Sequence, residues 1–126
     1  MSKTKNKTKF IYLASPYSHP SRKVEKEREK EINRIGAELQ ARTGHALFPP
    51  ITVSAHFKKL LPHKFGTSFS AWKDIDLTVV SKSDEVWVVK MSGWKDSIGV
   101  QAEIEYANDN EIPVMYINPK SLRFVK

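Results

Sequence analysis

Short apolar runs alternate with amphipathic segments along the chain, and this pattern predicts alternating strands and helices. Each run is continuous, as expected of a strand that is buried on both faces of a parallel sheet. The predicted strands cover residues 10–14, 46–48, 84–89 and 113–117, with a short fifth strand at 122–125. Apolar residues spaced three and four apart predict helices between the strands. The first predicted helix covers about residues 22–42, and the second runs from residue 68 or 70 to about residue 81. The third begins after Ser97.

The order of these elements predicts an α/β fold with a parallel sheet of about five strands and helices on both faces. Strand–helix–strand crossovers of this kind are right-handed and build a three-layer domain. A chain of 126 residues fits one such domain. Pro62 and Gly66 interrupt the periodicity, and we predict a loop at 51–67 with one helical turn at 57–61. Ligands of parallel sheets bind outside the carboxyl ends of the strands.

Two acidic residues fall on stripes of these helices that are predicted to face the core. Glu103 lies on the stripe of the helix after the third strand, and Asp76 takes the matching position in the helix before that strand. The apolar residues of the two stripes are Val100, Ile104 and Ala107, and Trp72, Ile75 and Val79. Both carboxyl groups are therefore expected to point inward.

An inward acid has two interpretations. It can pair with a lysine, an arginine or a backbone amide, because an unpaired buried charge is costly. Alternatively, two acids can divide the work of glycosidic bond cleavage, one as nucleophile or ion-pair stabiliser and the other handling the proton of the leaving group. A capping role for Glu103 fails on position, because Glu103 lies six residues after Ser97, the expected N-cap.

Polar and aromatic residues near the same sheet edge are candidates for substrate binding. Ser97 and Gly99 begin a helix whose free amides can hold a phosphate, although Ser97 can equally act as a simple cap. Arg22 can help to neutralise a phosphate or form a solvated helix end. Tyr17 and Trp94 can stack on a planar base or pack locally. Three further candidate contacts are Ser15, Ser18 and His56.

Composition narrows the possible partners. The net charge is +7, but without the four lysines at 3, 5, 7 and 9 it falls to +3. Residues 1–9 therefore read as a flexible basic tail on a domain at 10–126, rather than as a nucleic-acid contact. The chain has no cysteine and no apolar run near the roughly 20 residues of a membrane span, which favours a cytoplasmic protein without a membrane partner. The histidines lack metal-ligand spacing and no dinucleotide or phosphate loop motif occurs, so we expect no metal and no cofactor.

Four segments, in their order and spacing, resemble the nucleoside 2-deoxyribosyltransferase superfamily. They are Ile11-Tyr12-Leu13-Ala14-Ser15-Pro16-Tyr17, Trp72-x-x-x-Asp76, Ser83-Asp84-Glu85-Val86 and Ser97-x-Gly99-Val100-x-x-Glu103-Ile104-x-x-Ala107. The similarity spans about residues 10–119. It implies a flavodoxin-like, Rossmann-like sheet and cleavage of the N-glycosidic bond of a nucleoside or nucleotide. Glu103 falls on the position of the family's nucleophile, and Asp76 on that of the acid that manages protons at the base or sugar.

The residue at position 97 bears on the substrate that this resemblance implies. Family members that act on free nucleosides commonly have Asp there, whereas the deoxynucleoside 5′-monophosphate N-hydrolases have a Ser that contacts phosphate. An Asp would repel a phosphate dianion, so Ser97 implies a nucleotide. The hydrolases carry a basic residue at the position of Ser18, and the loops of this chain look more like an uncharacterised phage and bacterial branch. Relatives complete their sites across subunits, which implies a homo-oligomer.

These observations predict an enzyme that cleaves the N-glycosidic bond of a (deoxy)nucleoside 5′-monophosphate, by hydrolysis or by sugar transfer to another base. One alternative is a nucleotide-binding sensor without turnover. Another is a 2-deoxyribosyltransferase that acts on free nucleosides. A nucleic-acid binder is the weakest hypothesis, because no basic stretch is interleaved with aromatic residues.

Overall fold

Strands and helices alternate along the chain, which confirms the predicted α/β class. The computed structural model describes residues 7–60 and 69–126. Within them, the strands are β1 (Phe10–Ala14), β2 (Ala46–Phe48), β3 (Glu85–Val89), β4 (Val114–Ile117) and β5 (Phe124–Val125). The α-helices are α1 (Arg22–Thr43), α2 (Pro50–Leu60), α3 (Phe69–Lys82) and α4 (Ile98–Asp109), and a short 3-10 helix covers Trp94–Asp96. None of the described helices is long and apolar enough to span a membrane.

The five strands form one sheet in the order β2-β1-β3-β4-β5. β1 pairs in parallel with β2 and β3, and β3 pairs in parallel with β4. β5 is antiparallel to β4, so the predicted parallel sheet is wrong for this last strand. The connection over 118–123 is too short for the crossover that a parallel pair requires. The strand order is that of flavodoxin-like folds, in which a ligand crevice opens between β1 and β3.

Successive residues of β1 point to opposite faces of the sheet and contribute to two separate cores. Ile11 and Leu13 pack with residues of α1 and α2 on one face. Tyr12 and Ala14 pack with residues of α3 and α4 on the other. Helices therefore cover both faces of the sheet, and the predicted three-layer arrangement is confirmed. The same alternation turns the Tyr12 side chain toward α4.

The predicted loop at 51–67 is wrong over its first part, where the chain forms α2. Pro50 is the first residue of this helix, a position at which the missing amide proton costs nothing. Ile51 and Ala55, four residues apart, are buried against the core. The two prolines after β2 thus lead directly into a helix. Residues 61–67 of the predicted loop lie outside the described residues.

Two residues take places that differ from their predicted ones. Ile75, which the predicted stripe of α3 turns inward, is 52% exposed, whereas Trp72 of the same stripe is buried as predicted and Val80 is buried in addition. Lys9, assigned to the tail, is attached to the domain, because its Nζ lies 2.6 Å from Oε2 of Glu85 and its carbonyl oxygen accepts the Ala46 amide. The tail residues 1–6 lie outside the described residues.

Candidate active site

A cavity of about 550 Å³ opens at the carboxyl ends of β1 and β3. Its walls come from the loop after β1, from α2 and α3, and from the start of α4. Seven of the ten predicted site residues line it, namely Ser15, Tyr17, Ser18, Asp76, Ser97, Gly99 and Glu103. The other three, Arg22, His56 and Trp94, are not part of its wall. The cavity therefore brings together both predicted acids and the predicted phosphate-binding residues Ser97 and Gly99, but not Arg22.

Glu103 is buried on the inner side of α4, with 4% of its surface exposed. The Tyr12 hydroxyl donates a hydrogen bond of 2.6 Å to its Oε2. Burial raises the pKa of Glu103 to about 8, while the Tyr12 hydrogen bond lowers this pKa and the charge of Asp76 raises it. The carboxyl group therefore holds its proton at neutral pH.

Two other buried glutamates differ from Glu103 in their partners. Glu25 accepts a hydrogen bond from Arg22 at 3.2 Å, and Glu85 accepts one from Lys9 at 2.6 Å. Among the residues that the structure describes, Glu103 forms no ion pair with a basic side chain, and its hydrogen bond comes from a neutral phenol. The ion-pair interpretation of a buried acid thus fits Glu25 and Glu85 but does not fit Glu103.

Asp76 faces the same cavity from α3 and is partly buried. Burial raises its pKa to about 6. Burial also raises the pKa of Tyr12 well above its usual value, and the charges of Glu103 and Asp76 add to that rise. These three groups therefore form one electrostatic cluster. Two carboxyl groups with unlike pKa values are the arrangement that a division between acid and base requires.

The N-terminus of α4 forms a further part of the cavity wall. Ser97 is the N-cap, because its Oγ accepts the Val100 amide at 3.2 Å. The first-turn residues Ile98 and Gly99 line the cavity, and amides in that turn have no acceptor within their own helix. Ser15 Oγ, on the same wall, is buried without a hydrogen-bond partner among the described residues. Such donors suit an oxyanion such as phosphate.

The charged groups on the cavity wall are mainly acidic. Among the lining residues that the structure describes, Lys73 is the one cation, against Asp76, Asp96 and Glu103. Asp96 directly precedes Ser97, where its charge opposes that of a phosphate at the helix start. No group of three or more His, Cys, Asp or Glu side chains that could hold a metal ion occurs within residues 7–60 and 69–126.

Arg22 lies behind the cavity wall, in contact with Tyr17. Its Nη1 donates to the Tyr17 hydroxyl at 3.1 Å and to Glu25 Oε1 at 3.2 Å. The Glu25 side chain is buried and also accepts the His19 amide at 3.1 Å. Arg22 therefore supports the ring of a residue that lines the cavity, and it does not reach the predicted phosphate position itself.

Trp94 and His56 lie away from the cavity. Trp94 packs against Tyr116, with ring centroids 5.5 Å apart, and Lys90 Nζ lies 5.6 Å from the centre of the Trp94 ring. His56 is exposed on α2, beside Phe57. Trp94 therefore packs locally, which is the alternative to base stacking given above. Neither residue is placed to touch a ligand inside the cavity.

The structure adds residues that sequence reasoning did not assign to the site. Tyr12 is the most important, and its signal was available, because a tyrosine in a strand buried on both faces needs a partner for its hydroxyl. Trp72 and Lys73 line the cavity and lie about one turn before Asp76 on α3, where they share its face. Asp96 could have been noted as the neighbour of the predicted phosphate-binding serine.

Residues 9–118 match the model of a protein family described as a domain of unknown function, DUF1937. The match spans 110 of the 126 residues and contains the whole cavity wall given above. A comparison with curated proteins found no match. The family description assigns no activity, and the cavity is therefore the best guide to the chemistry.

Proposed function

We propose that this chain, which belongs to the DUF1937 family, cleaves the N-glycosidic bond of a (deoxy)nucleoside 5′-monophosphate. One observation carries the proposal. Asp76 and Glu103 line one cavity, have raised pKa values, and form no ion pair with the basic side chains that the structure describes. Glycosidic bond cleavage uses two acids in unlike environments. The resemblance of the surrounding motifs to the nucleoside 2-deoxyribosyltransferase superfamily supports the same chemistry.

The start of α4 can hold the phosphate while Glu103 meets the sugar. Hydrogen-bond donors to a phosphate come from Ser97 and from the first-turn amides of Ile98 and Gly99. The Ser15 hydroxyl, which has no hydrogen-bond partner among the described residues, is a further donor. Six residues of helix span about 9 Å, and side chains lean toward the helix N-terminus, so Glu103 reaches back toward this seat. A nucleotide bound there presents its anomeric carbon between the phosphate seat and the two acids.

In the proposed reaction, one oxygen of Glu103 attacks the anomeric carbon while Asp76 gives its proton to the departing base. The carbon–nitrogen bond breaks as the carbon–oxygen bond to Glu103 forms. Water or a second base then attacks the same carbon, gives a proton to Asp76 and releases the sugar from Glu103. Because the Tyr12 hydroxyl holds Oε2 at 2.6 Å, Oε1 is the oxygen left for attack.

The proposed reaction needs the proton on Asp76 and an ionised Glu103, and this form of the protein is a minor one. Between pH 6 and 8 the pair keeps one proton, and the two pKa values place that proton on Glu103. The form with the proton on Asp76 is the less populated one, because the carboxyl group with the higher pKa keeps the shared proton. Positive charge that develops on the sugar favours ionised Glu103 and so raises the share of the productive form.

A panel of ribo- and deoxyribonucleoside 5′-monophosphates tests the proposal, with free base separated from nucleotide and with and without an added acceptor base. We expect base release by the wild type and a loss of about 1000-fold or more in Glu103→Gln, which cannot form the covalent bond. Glu105→Gln is the matched control, because Glu105 is an exposed acid on the same helix. This control should retain the wild-type rate.

Three other outcomes of the nucleotide panel would count against the proposed hydrolase or transferase activity. The absence of base release from every nucleotide would refute the proposal, and so would undiminished release by Glu103→Gln. Thermal stabilisation by a nucleotide without base release would instead support the nucleotide-binding sensor.

The acidic wall favours a second candidate substrate for the same chemistry, a free nucleoside. Asp96 beside the helix start opposes a phosphate dianion, and Lys73 alone does not offset the acids among the described lining residues. A free nucleoside avoids this repulsion. Free deoxynucleosides are therefore added to the panel, and a kcat/KM for them at or above that for their 5′-monophosphates would select this candidate over the nucleotide.

A further inference from the structure

Arg28 joins the two loops that follow β1 and β3. Its Nη1 donates hydrogen bonds to the main-chain oxygens of Tyr17 and Ser18 in the first loop, at 3.3 and 3.0 Å. Its Nη2 donates to the main-chain oxygen of Ser92 in the second loop, at 3.2 Å. Ser92 lies 64 residues further along the chain. One side chain of α1 thus connects two segments that are remote in sequence.

Both loops contribute to the wall of the cavity. The first loop contributes Ser15, Tyr17 and Ser18 to the wall, and the second leads into Asp96 and Ser97. The register of β1 with β3 runs only as far as Ala14 and Val88. Beyond that point the sheet no longer sets the distance between the loops. The Arg28 hydrogen bonds span this gap.

The second loop is shaped to receive the guanidinium group. Gly93 has a φ of 91°, in the left-handed region that favours glycine. A Cβ atom at this position would lie 2.6 Å from Nη2 of Arg28. Position 93 therefore needs glycine both for its backbone conformation and for the close approach of Arg28.

We propose that Arg28 is a positioning residue that holds the β1 and β3 loops, and with them two walls of the cavity, at a fixed separation. A planar guanidinium with several fixed donors sets direction as well as distance. All three acceptors are main-chain oxygens, so these donors are engaged by the protein itself. The effect on turnover rests on the proposed function above, whereas the effect on the loops is independent of it.

Substitutions at Arg28 should separate its hydrogen bonding from its charge. Arg28→Ala removes all three hydrogen bonds. Arg28→Lys keeps the charge but has a single nitrogen, so it cannot reproduce the fork geometry and should rescue only in part. Arg34→Ala is the matched control, because Arg34 lies on the same helix and pairs only with neighbouring α1 residues, Glu31 and Glu38, in the described contacts.

Hydrogen exchange reads the loops directly and needs no substrate. In the second loop, the amides of Trp94 and Asp96 donate to main-chain oxygens at 3.0 and 3.2 Å, and in the first loop the His19 amide donates to Glu25 at 3.1 Å. We expect these amides to exchange about tenfold faster in Arg28→Ala, as a local opening becomes easier. Exchange in β3 and α4 should stay at the wild-type rate, as should exchange throughout Arg34→Ala.

Steady-state kinetics with the best nucleotide of the panel test the role in the site. Displaced walls weaken binding of the substrate and of the transition state alike, so KM should rise about tenfold in Arg28→Ala while kcat changes less. Arg28→Lys should fall between Arg28→Ala and the wild type. Gly93→Ala should raise KM less in the Arg28→Ala background than in the wild type, because the clash with the guanidinium is then absent.

Faster exchange in both loops of Arg28→Ala, together with the rise in KM, would support the proposal. Unchanged exchange, faster exchange in one loop only, or the same change in Arg34→Ala would overturn it. Faster exchange in both loops with an unchanged KM would also overturn it, because the separation of the loops would then not position the site. If no nucleotide is turned over, the proposed function fails, and the exchange rates alone still decide whether Arg28 holds the loops together.

Discussion

The substitution Glu103→Gln should stabilise the folded protein at alkaline pH. The change keeps the size of the side chain and an oxygen that can accept the Tyr12 hydrogen bond. It removes the carboxyl group whose pKa burial raises to about 8. The fold buries this group in its neutral form, so the wild type must either keep the proton or bury a charge.

The size of the effect follows from the two pKa values of Glu103. An ordinary glutamate has a pKa of 4.5, and between this value and about 8 the folded protein binds a proton that the unfolded chain has lost. Stability therefore falls as the pH rises through this window. The cost is about 1 kcal/mol at pH 5 and approaches about 5 kcal/mol above pH 8, at about 1.4 kcal/mol for each pKa unit. The whole stability of a domain is only about 5–15 kcal/mol.

Urea unfolding of the wild type and Glu103→Gln at pH 5, 7 and 9 measures this difference. The free energy of unfolding of the variant, relative to the wild type, should rise by about 4 kcal/mol from pH 5 to pH 9. Glu105→Gln, which changes an exposed acid on the same helix, should follow the wild type at every pH. A constant difference between Glu103→Gln and the wild type across this range would show that Glu103 titrates normally, and would refute the argument for its buried, neutral form.

Three further predictions concern activity. The plot of kcat/KM against pH should be bell-shaped, with limbs near pH 6 and 8. In the proposed reaction Asp76 and Glu103 share one proton, and their pKa values are raised to about 6 and about 8. A rate that stays constant from pH 5 to 9 would contradict this. Tyr12→Phe removes the hydrogen bond that lowers the pKa of Glu103. The alkaline limb of the plot should therefore move to higher pH, and the rate at pH 7 should fall by about tenfold because less Glu103 is ionised. An alkaline limb that does not move would exclude this role for Tyr12. Asp96→Asn should raise the ratio of kcat/KM for a nucleoside 5′-monophosphate to kcat/KM for the free nucleoside by severalfold, which is about the effect of one exposed charge. An unchanged ratio would show that the phosphate lies elsewhere.

The part of the site that the sequence could predict is the part governed by local rules. Ser97 caps α4 and Glu103 points inward, because a cap and a helical stripe each depend only on residues within a few turns. Asp76 follows from the same periodicity on α3. The two covered faces of the sheet follow from the alternation of strands and helices, whereas the flavodoxin-like sheet is implied only by the resemblance.

The part that the sequence could not predict depends on contacts between segments remote along the chain. The direction of a loop side chain has no period, so the sequence could not show that Trp94 packs on Tyr116, beside the core, and does not line the cavity. Arg28 sits in a highly charged half of α1 and resembles its neighbours in sequence. Its acceptors are main-chain oxygens, which leave no mark on the residue types around them. The helix α2 was missed for a different reason, since prolines mark the start of a helix as well as the end of a strand.

The three buried glutamates differ in how the fold compensates the cost of burying a carboxyl group. Lys9 and Arg22 neutralise Glu85 and Glu25 at the edges of the fold. Burial alone would raise the pKa of Glu85, but the hydrogen bonds from Lys9 and Trp87, together with the charges of Lys9 and His45, leave that pKa below its usual value. Among the described residues, Glu103 has a phenol and no cation as its partner, and it faces a cavity. Its burial therefore costs stability at neutral pH that a cation would recover. If glutamine is more stable than glutamate at position 103, the fold does not need this carboxyl group for stability, and that result would give a physical reason to test the proposed role of Glu103 in the cavity.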